Sequence, residues 1–194
     1  MPSISTNAIL LRRTDWGESS QLFTLYTERL GKAEVIGRGT KKIQSKLNGH
    51  LQYFVVINVL IARGRSIDQL AGAVIEETFF RPGTELQRIL LGSFMIELVQ
   101  QLTKPHQPDH RLYALLSQSL RAVGQPLPLT KRQCAELQQR FTVELLSELG
   151  YQPPVSATAS AGALRGFLYQ HLERELNVKQ FITTGSLDGW LPVC

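Results

Sequence analysis

The apolar residues of this chain change their spacing near residue 81. Before that point, several short segments alternate apolar and polar residues or are rich in Val and Ile, and turn residues separate them. After it, apolar residues recur every three or four positions. Alternation is typical of strands, and the longer spacing is typical of amphipathic helices. The pattern therefore predicts an α+β protein with two domains, at residues 1–80 and 81–194.

The first domain is predicted to be a small barrel. We expect strands at residues 4–13, 22–27, 32–38, 51–61 and 67–74. A three-strand meander followed by two more strands, with no helix between them, suits a five-stranded barrel of the OB type. Such barrels commonly bind single-stranded nucleic acid, although a fold alone does not establish a function.

The second domain is predicted to be all-helical. Its four helices are expected at residues 84–103, 109–123, 130–149 and 162–176. Thr130 with Gln133 has the spacing of a capping box, and Gly150 is placed to end that helix in a left-handed conformation. The Ala, Ser and Thr of residues 155–162 predict a linker, and the tail from Asn177 onward has no clear pattern.

Positive charge is concentrated in the N-terminal third. Residues 1–65 carry ten Lys and Arg against four acids, hence +6, whereas the whole chain has a net charge of +5. Charge of one sign gathered in one segment attracts polyanions. The segment Gly31–Leu51 is the centre of this charge, because a short strand there leads into a loop that is flanked by Gly37 and Gly39 and rich in Lys and Arg.

These cations predict a nucleic-acid site. Cations follow phosphates, and exposed aromatic rings accept stacked bases. Of the aromatics Trp16, Tyr26 and Tyr53, the turn residue Trp16 is the better candidate, because strand aromatics usually pack in a core or at its rim. A basic loop without a partner is the alternative interpretation. The predicted contacts are Arg12, Arg13, Trp16, Arg38, Lys41, Lys42, Lys46, Arg63 and Arg65.

No catalytic constellation is found in the sequence. The carboxylates near the predicted barrel, such as Asp15 and Glu34, are dispersed, and there is no glycine-rich phosphate loop. Two cysteines without a CxxC pair do not predict a thiolate zinc site, and the prolines around His106 and His110 favour a solvated loop. A binding protein with no metal or cofactor is therefore favoured over an enzyme.

The expected compartment is the cytoplasm. The N-terminus is short and polar and has no apolar core of a secretory signal. The longest apolar stretch, from Phe54 to Ala62, is too short to span a bilayer. No membrane contact is expected.

Two sets of residues match a known family. The first is the order Arg13, Trp16, Gly17, Glu18, Ser19, Phe23, Thr27, Glu28, Gly31, Lys32, Gly37, Gly39, Ser45, Leu47, Gly49, Leu51, Gln52 and Phe54. The second is the stretch from Arg140 to Tyr151, which runs from an Arg-Phe pair through Leu-Leu to Leu-Gly-Tyr. Together they resemble the N-terminal domain and the helical-domain motif of the RecO family of bacterial recombination mediators.

The resemblance implies an OB-fold joined to a helical domain. It also implies binding to single- and double-stranded DNA, annealing of complementary strands in recombinational repair of DNA damage, and partnership with RecR and the single-stranded-DNA-binding protein SSB. Arg140 matches the arginine of the Arg-Phe motif, which the resemblance links to the acidic C-terminal tail of SSB. The near-neutral charge of the helical domain also favours a protein partner there.

The chain departs from the family pattern at two places. Many members follow Leu-Gly-Tyr with a four-cysteine zinc-binding insertion, but residues 155–162 contain no cysteine, so this is a variant without the zinc ligands. The family tends to finish with a basic segment, where this chain has Phe181 to Ser186. Two alternative functions stay open, an RNA-binding OB-fold protein and a helical adaptor whose barrel is structural.

Overall fold

The computed structural model describes residues 3–42, 45, 47–81, 83–127, 129–158, 161–172 and 176. The predicted contact Lys46 and the tail from residue 177 lie outside the described residues. The elements are β1 (Ser3–Trp16), β2 (Ser20–Thr27), β3 (Gly31–Gly37), β4 (Val55–Ala62), β5 (Asp68–Thr78), α1 (Leu86–Leu102), α2 (His110–Val123), α3 (Lys131–Glu148), α4 (Val155–Thr158) and α5 (Ala161–Tyr169). The predicted class, a five-stranded OB-type unit followed by helices, is confirmed.

The strands form a closed barrel in the order β1-β2-β3-β5-β4. All neighbours are antiparallel except β3 and β5, which are parallel. Strand β1 is long and pairs with two neighbours. Its residues Ser3 to Ile9 pair with β4, and Ala8 to Trp16 pair with β2. An irregularity between Leu10 and Arg12 accompanies this change of partner, as expected where a strand must bend.

Alternate strand residues fill the barrel. Phe23, Leu25, Val35 and Ile57 are each 0% exposed within one apolar cluster, as the period of two requires. Truncating a fully buried ring such as that of Phe23 to Ala would cost about 3–5 kcal/mol of stability.

Strand β4 begins later than its sequence pattern predicts. The prediction started it at residue 51, but the strand starts at Val55. Phe54 has a φ of 61°, a left-handed conformation that is rare for a bulky residue and cannot continue a strand. Its ring stacks on Phe80 with centroids 4.4 Å apart.

The residues from Thr103 to Tyr113 belong to the same compact unit as the strands, although they follow α1 in the chain. The backbone amide of His106 donates a 2.9 Å hydrogen bond to the carbonyl oxygen of Lys32. The Nζ of Lys32 donates to the carbonyl oxygen of Thr103. Gly31 has a φ of +66°, and a Cβ there would lie 2.1 Å from the carbonyl oxygen of Gln107. Only glycine fits this approach of two backbones.

The second unit contains α1, residues from Ala114 in α2 onward, α3, α4 and α5. Asp109 Oδ1 accepts hydrogen bonds from two amides in the first turn of α2, and Thr130 with Gln133 forms the predicted capping box of α3. Gly150 has the predicted positive φ, 82°. These caps satisfy backbone groups that helix ends leave unpaired.

Three helical details differ from the prediction. Helix α1 is buried without interruption from Phe94 to Val99, so it is not the one-faced amphipathic helix that its spacing suggested. Residues 155–158, predicted as linker, form the short α4. Helix α5 ends at Tyr169, earlier than residue 176. Within the described ranges, no helix is long and apolar enough to cross a bilayer.

Candidate nucleic-acid interface

The β1–β2 turn and the turn after β3 lie together at one end of the barrel. The amide of Lys41 donates to Ser19 O at 3.1 Å, and Lys41 Nζ donates to Gly17 O at 3.2 Å. Thr40 is fully buried and donates from Oγ1 to Gly37 O at 3.1 Å. A Cβ at Gly37 would lie 2.6 Å from the Phe23 ring. The start of the basic loop is therefore anchored to the core, and its long side chains extend from a rigid base.

This end of the barrel gathers most of the predicted contacts. We define the proximal patch by the residues that lie along the outer half of β1 and in the two turns: Arg12, Arg13, Trp16, Arg38, Lys41 and Lys42. All six are exposed, and Trp16, opposite Ser20 at the end of β1, has 48% of its surface exposed. Within the described part of the chain, Arg12, Arg13, Arg38 and Lys42 have no ion-pair partner. Four of the cations are thus available to an external anion.

Lys41 differs from the other cations of the proximal patch. Its Nζ lies 2.8 Å from Asp15 Oδ2, and 28% of its side chain is exposed. The hydrogen bond from Lys41, assisted by one from Gln21, lowers the pKa of Asp15, so the carboxylate stays ionised and competes with any phosphate for Lys41. The expectation that every cation of this loop faces an external partner therefore does not hold for Lys41.

Arg63 and Arg65 lie in the β4–β5 turn, beside β3. They follow Ala62, and Arg63 Nη1 lies 3.3 Å from Asp68 Oδ2. Asp68 pairs with Val35, two residues before the end of β3. Arg63 therefore has an internal anion, unlike the four cations of the proximal patch that are unpaired within the described residues.

The aromatic candidates also separate. Tyr26 is 1% exposed, and burial together with the nearby charge of Asp109 raises the pKa of its hydroxyl, so its ring cannot accept a base. Tyr53 is 38% exposed, immediately before the strained Phe54. Trp16 and Tyr53 are therefore the rings that remain available for stacking.

A second set of exposed cations was missed in the sequence. We define the distal patch by Arg29, in the turn between β2 and β3, and by Lys104, His106, His110 and Arg111, in the segment that docks beside Lys32; all five are exposed. The sequence of residues 104–111, KPHQPDHR, is rich in basic residues. Nothing local, however, indicates that they return to the strands.

Arg140 lies on the solvent side of α3. Its Nε is 2.7 Å from Glu144 Oε1, one helical turn later, and this hydrogen bond raises the pKa of the guanidinium. The side chain is 76% exposed, while the neighbouring Phe141 is buried. Arg132 and Glu136 repeat the same pair at the same distance.

The described residues do not place three His, Cys, Asp or Glu side chains close enough together to hold a metal ion. The described geometry instead suits the binding of an anion, because exposed cations extend from ordered backbone at both ends of the barrel.

Comparison with known proteins agrees with this architecture. The family model described as "Recombination protein O N terminal" matches residues 1–79, and the one described as "Recombination protein O C terminal" matches residues 83–174. The chain belongs to the RecO family. The first match spans all five strands of the barrel, and the second spans α1 to α5.

Curated RecO relatives show the same likeness. The DNA repair protein RecO of Roseiflexus sp. (strain RS-1) is 33% identical over 161 residues, which cover 82% of this chain and 54% of the relative. The RecO of Pelotomaculum thermopropionicum is 31% identical over 170 residues, 87% of this chain and 64% of the relative. The chain thus spans between about half and two thirds of the length of these RecO proteins.

Proposed function

We propose that this RecO-family chain is a non-enzymatic DNA-binding protein of recombinational repair that anneals complementary strands and acts with RecR and SSB. The observation that carries the proposal is the proximal patch, where four cations without ion-pair partners among the described residues and an exposed indole lie along the outer half of β1 and in the two turns. The cations neutralise phosphates and release counterions, and the ring accepts a base without regard to sequence. Neutralising the phosphates of two strands lowers the repulsion that opposes their pairing.

The charge count sets the expected salt dependence. Arg12, Arg13, Arg38 and Lys42 contact one phosphate each, and each contact on a single strand contributes about −0.7 to the slope of log affinity against log salt. The patch as a whole gives a slope of about −3. Lys41 adds little to this slope while Asp15 holds it.

The test is a double charge reversal, Arg38→Glu with Lys42→Glu. Anisotropy of a labelled oligothymidine across a salt series should show at least a tenfold loss of affinity at low salt and a slope shallower by about 1.4. Lys131→Glu is the control, because it reverses one charge on an exposed residue of the helical unit. An unaltered slope in the double variant removes the proximal patch from the DNA site.

The two alternative functions are separated by the same assay. An RNA strand of the same sequence that competes better than DNA would favour an RNA-binding protein. An absence of any anisotropy change with the wild-type chain would favour a structural barrel in a helical adaptor.

The proposed SSB contact is the exposed guanidinium of Arg140. A carboxylate of the SSB tail would replace Glu144 as its partner, while the apolar residue at the end of the tail packs nearby. Titration of a labelled tail peptide should show at least fivefold weaker binding to Arg140→Ala. Arg132→Ala is the control, since it removes an equivalent ion pair from the same helix. Equal binding by both variants excludes Arg140 from the contact.

A further inference from the structure

The distal patch lies at the far end of strand β2 from the proximal patch. Ser20, the first residue of β2, pairs with Trp16, and Thr27, its last, pairs with Gly31 and precedes the turn that carries Arg29. The eight residues of β2 span about 26 Å at about 3.3 Å per residue. The two patches are therefore separate charge centres on one rigid unit.

The backbone that carries the distal patch is fixed to the barrel. Arg29 N donates to Thr6 Oγ1 at 3.2 Å, and Arg29 Nη1 donates to the carbonyl of Ser5 at 3.2 Å. The segment that carries the other four cations is held by its hydrogen bonds with Lys32 and by the close approach of Gln107 to Gly31. The cations thus extend from ordered backbone, as those of the proximal patch do.

The acids near the distal patch are already engaged. Glu28 Oε2 accepts a hydrogen bond from Asn7 Nδ2 at 3.5 Å, and Asp109 Oδ1 accepts from the amides of Arg111 and Leu112. Arg29, Lys104 and Arg111 have no ion pair within the described part of the chain. Three permanent cations against two carboxylates leave a net positive surface.

We infer that the distal patch is a second phosphate-binding surface, which holds a second nucleic-acid strand on the same protomer. The inference rests on the proposed function and extends it, because a chain that anneals must hold two polyanions close together. One DNA strand then binds at each end of the barrel, where the cations of that patch neutralise its phosphates. This reduces the repulsion between the two DNA strands. Annealing then needs only one protomer.

The test measures how many DNA strands each protomer binds. Isothermal titration with an oligothymidine too short to span β2 should give two bound molecules per wild-type protomer. The variant Lys104→Glu with Arg111→Glu should bind one, and so should the proximal variant Arg38→Glu with Lys42→Glu. Folding should be retained in the distal variant, since Arg111 lies in the first turn of α2, where an acid suits the helix dipole; thermal melts check this.

Annealing of complementary oligonucleotides supplies the second measurement. The distal variant should anneal at least fivefold more slowly than wild type while its affinity for a single strand at the proximal patch stays within twofold, and Lys131→Glu should behave as wild type. A distal variant that still binds two strands, or anneals at the wild-type rate, overturns the second surface alone. A wild-type chain that binds no oligonucleotide overturns the proposed function as well.

Discussion

The unpaired cations of the barrel unit contrast with the paired arginines of the helical unit. In the barrel, Arg12, Arg13, Arg38 and Lys42 extend into solvent without ion-pair partners in the described ranges. In the helical unit, Arg132 and Arg140 each pair with a glutamate one turn later. Arg88 is only 6% exposed and donates to the carbonyls of Val123 and Leu127.

The difference shows that position, more than residue count, decides what a cation does. A guanidinium over a helix C-terminus replaces the backbone donors that the helix end lacks. A guanidinium on a strand or turn with no acid beside it has no internal anion to neutralise it, and it remains available to an external one. The predictions below test this contrast.

The largest effect should come from Arg88→Met. This change leaves the carbonyls of Val123 and Leu127 without their buried donor, at a cost of about 3 kcal/mol in the free energy of unfolding. Chemical denaturation of the full chain measures it, and Arg132→Met, at an exposed arginine of the same unit, should leave the free energy of unfolding almost unchanged. Equal losses in the two variants would remove the distinction between buried and exposed cations in this unit.

A smaller effect is expected from Asp15→Asn at the proximal patch. The change removes the carboxylate that holds Lys41 and frees that ammonium for phosphate. Affinity for a single strand should rise about threefold, and the salt slope should steepen by about 0.7, the value for one more phosphate contact. Glu136→Gln, which frees an arginine on α3, should leave both unchanged. A loss of affinity in Asp15→Asn would show that the Asp15–Lys41 pair organises the site.

The smallest effect concerns the exposed pairs of α3. A double-mutant cycle on Arg132 and Glu136 should give only a small coupling energy, because solvent screens the pair and ordering two long side chains costs entropy. The coupling should fall further in 1 M salt. A coupling energy as large as the loss in Arg88→Met, measured by denaturation, would mean that this unit depends on its surface charges.

Much of the fold was readable because it depends on local chemistry. The alternation in β2 and β3, the Thr130–Gln133 box and the Gly150 end of α3 each express a rule that acts within a few residues. The start of β4 was mispredicted because Leu51 and Tyr53 extend the alternating pattern backwards, whereas Phe54 has a positive φ and its ring stacks on Phe80, which follows β5.

The candidate nucleic-acid site could be predicted only in part, because some of its residues are placed by contacts between distant parts of the chain. The loop after Gly37 is basic in sequence and remains so in space, so its cations could be found directly. The ion pair of Arg63 with Asp68, by contrast, depends on how the β4–β5 turn folds, which the spacing of apolar residues does not predict. The approach of Gln107 to Gly31 joins residues distant in sequence, and the Lys104–Arg111 segment gives no local sign of it.

That return of the chain to the barrel has a practical consequence for dissecting the protein. A fragment cut after residue 80, where the sequence pattern changes, would lose the strap that lies over Gly31. It would also lose the acceptor of the Lys32 ammonium and the acid beside the Tyr26 ring. Such a fragment would expose the surface around Gly31 that residues 103–113 cover in the intact chain. A truncation intended to isolate DNA binding should therefore retain residues 103–113 or supply them as a peptide.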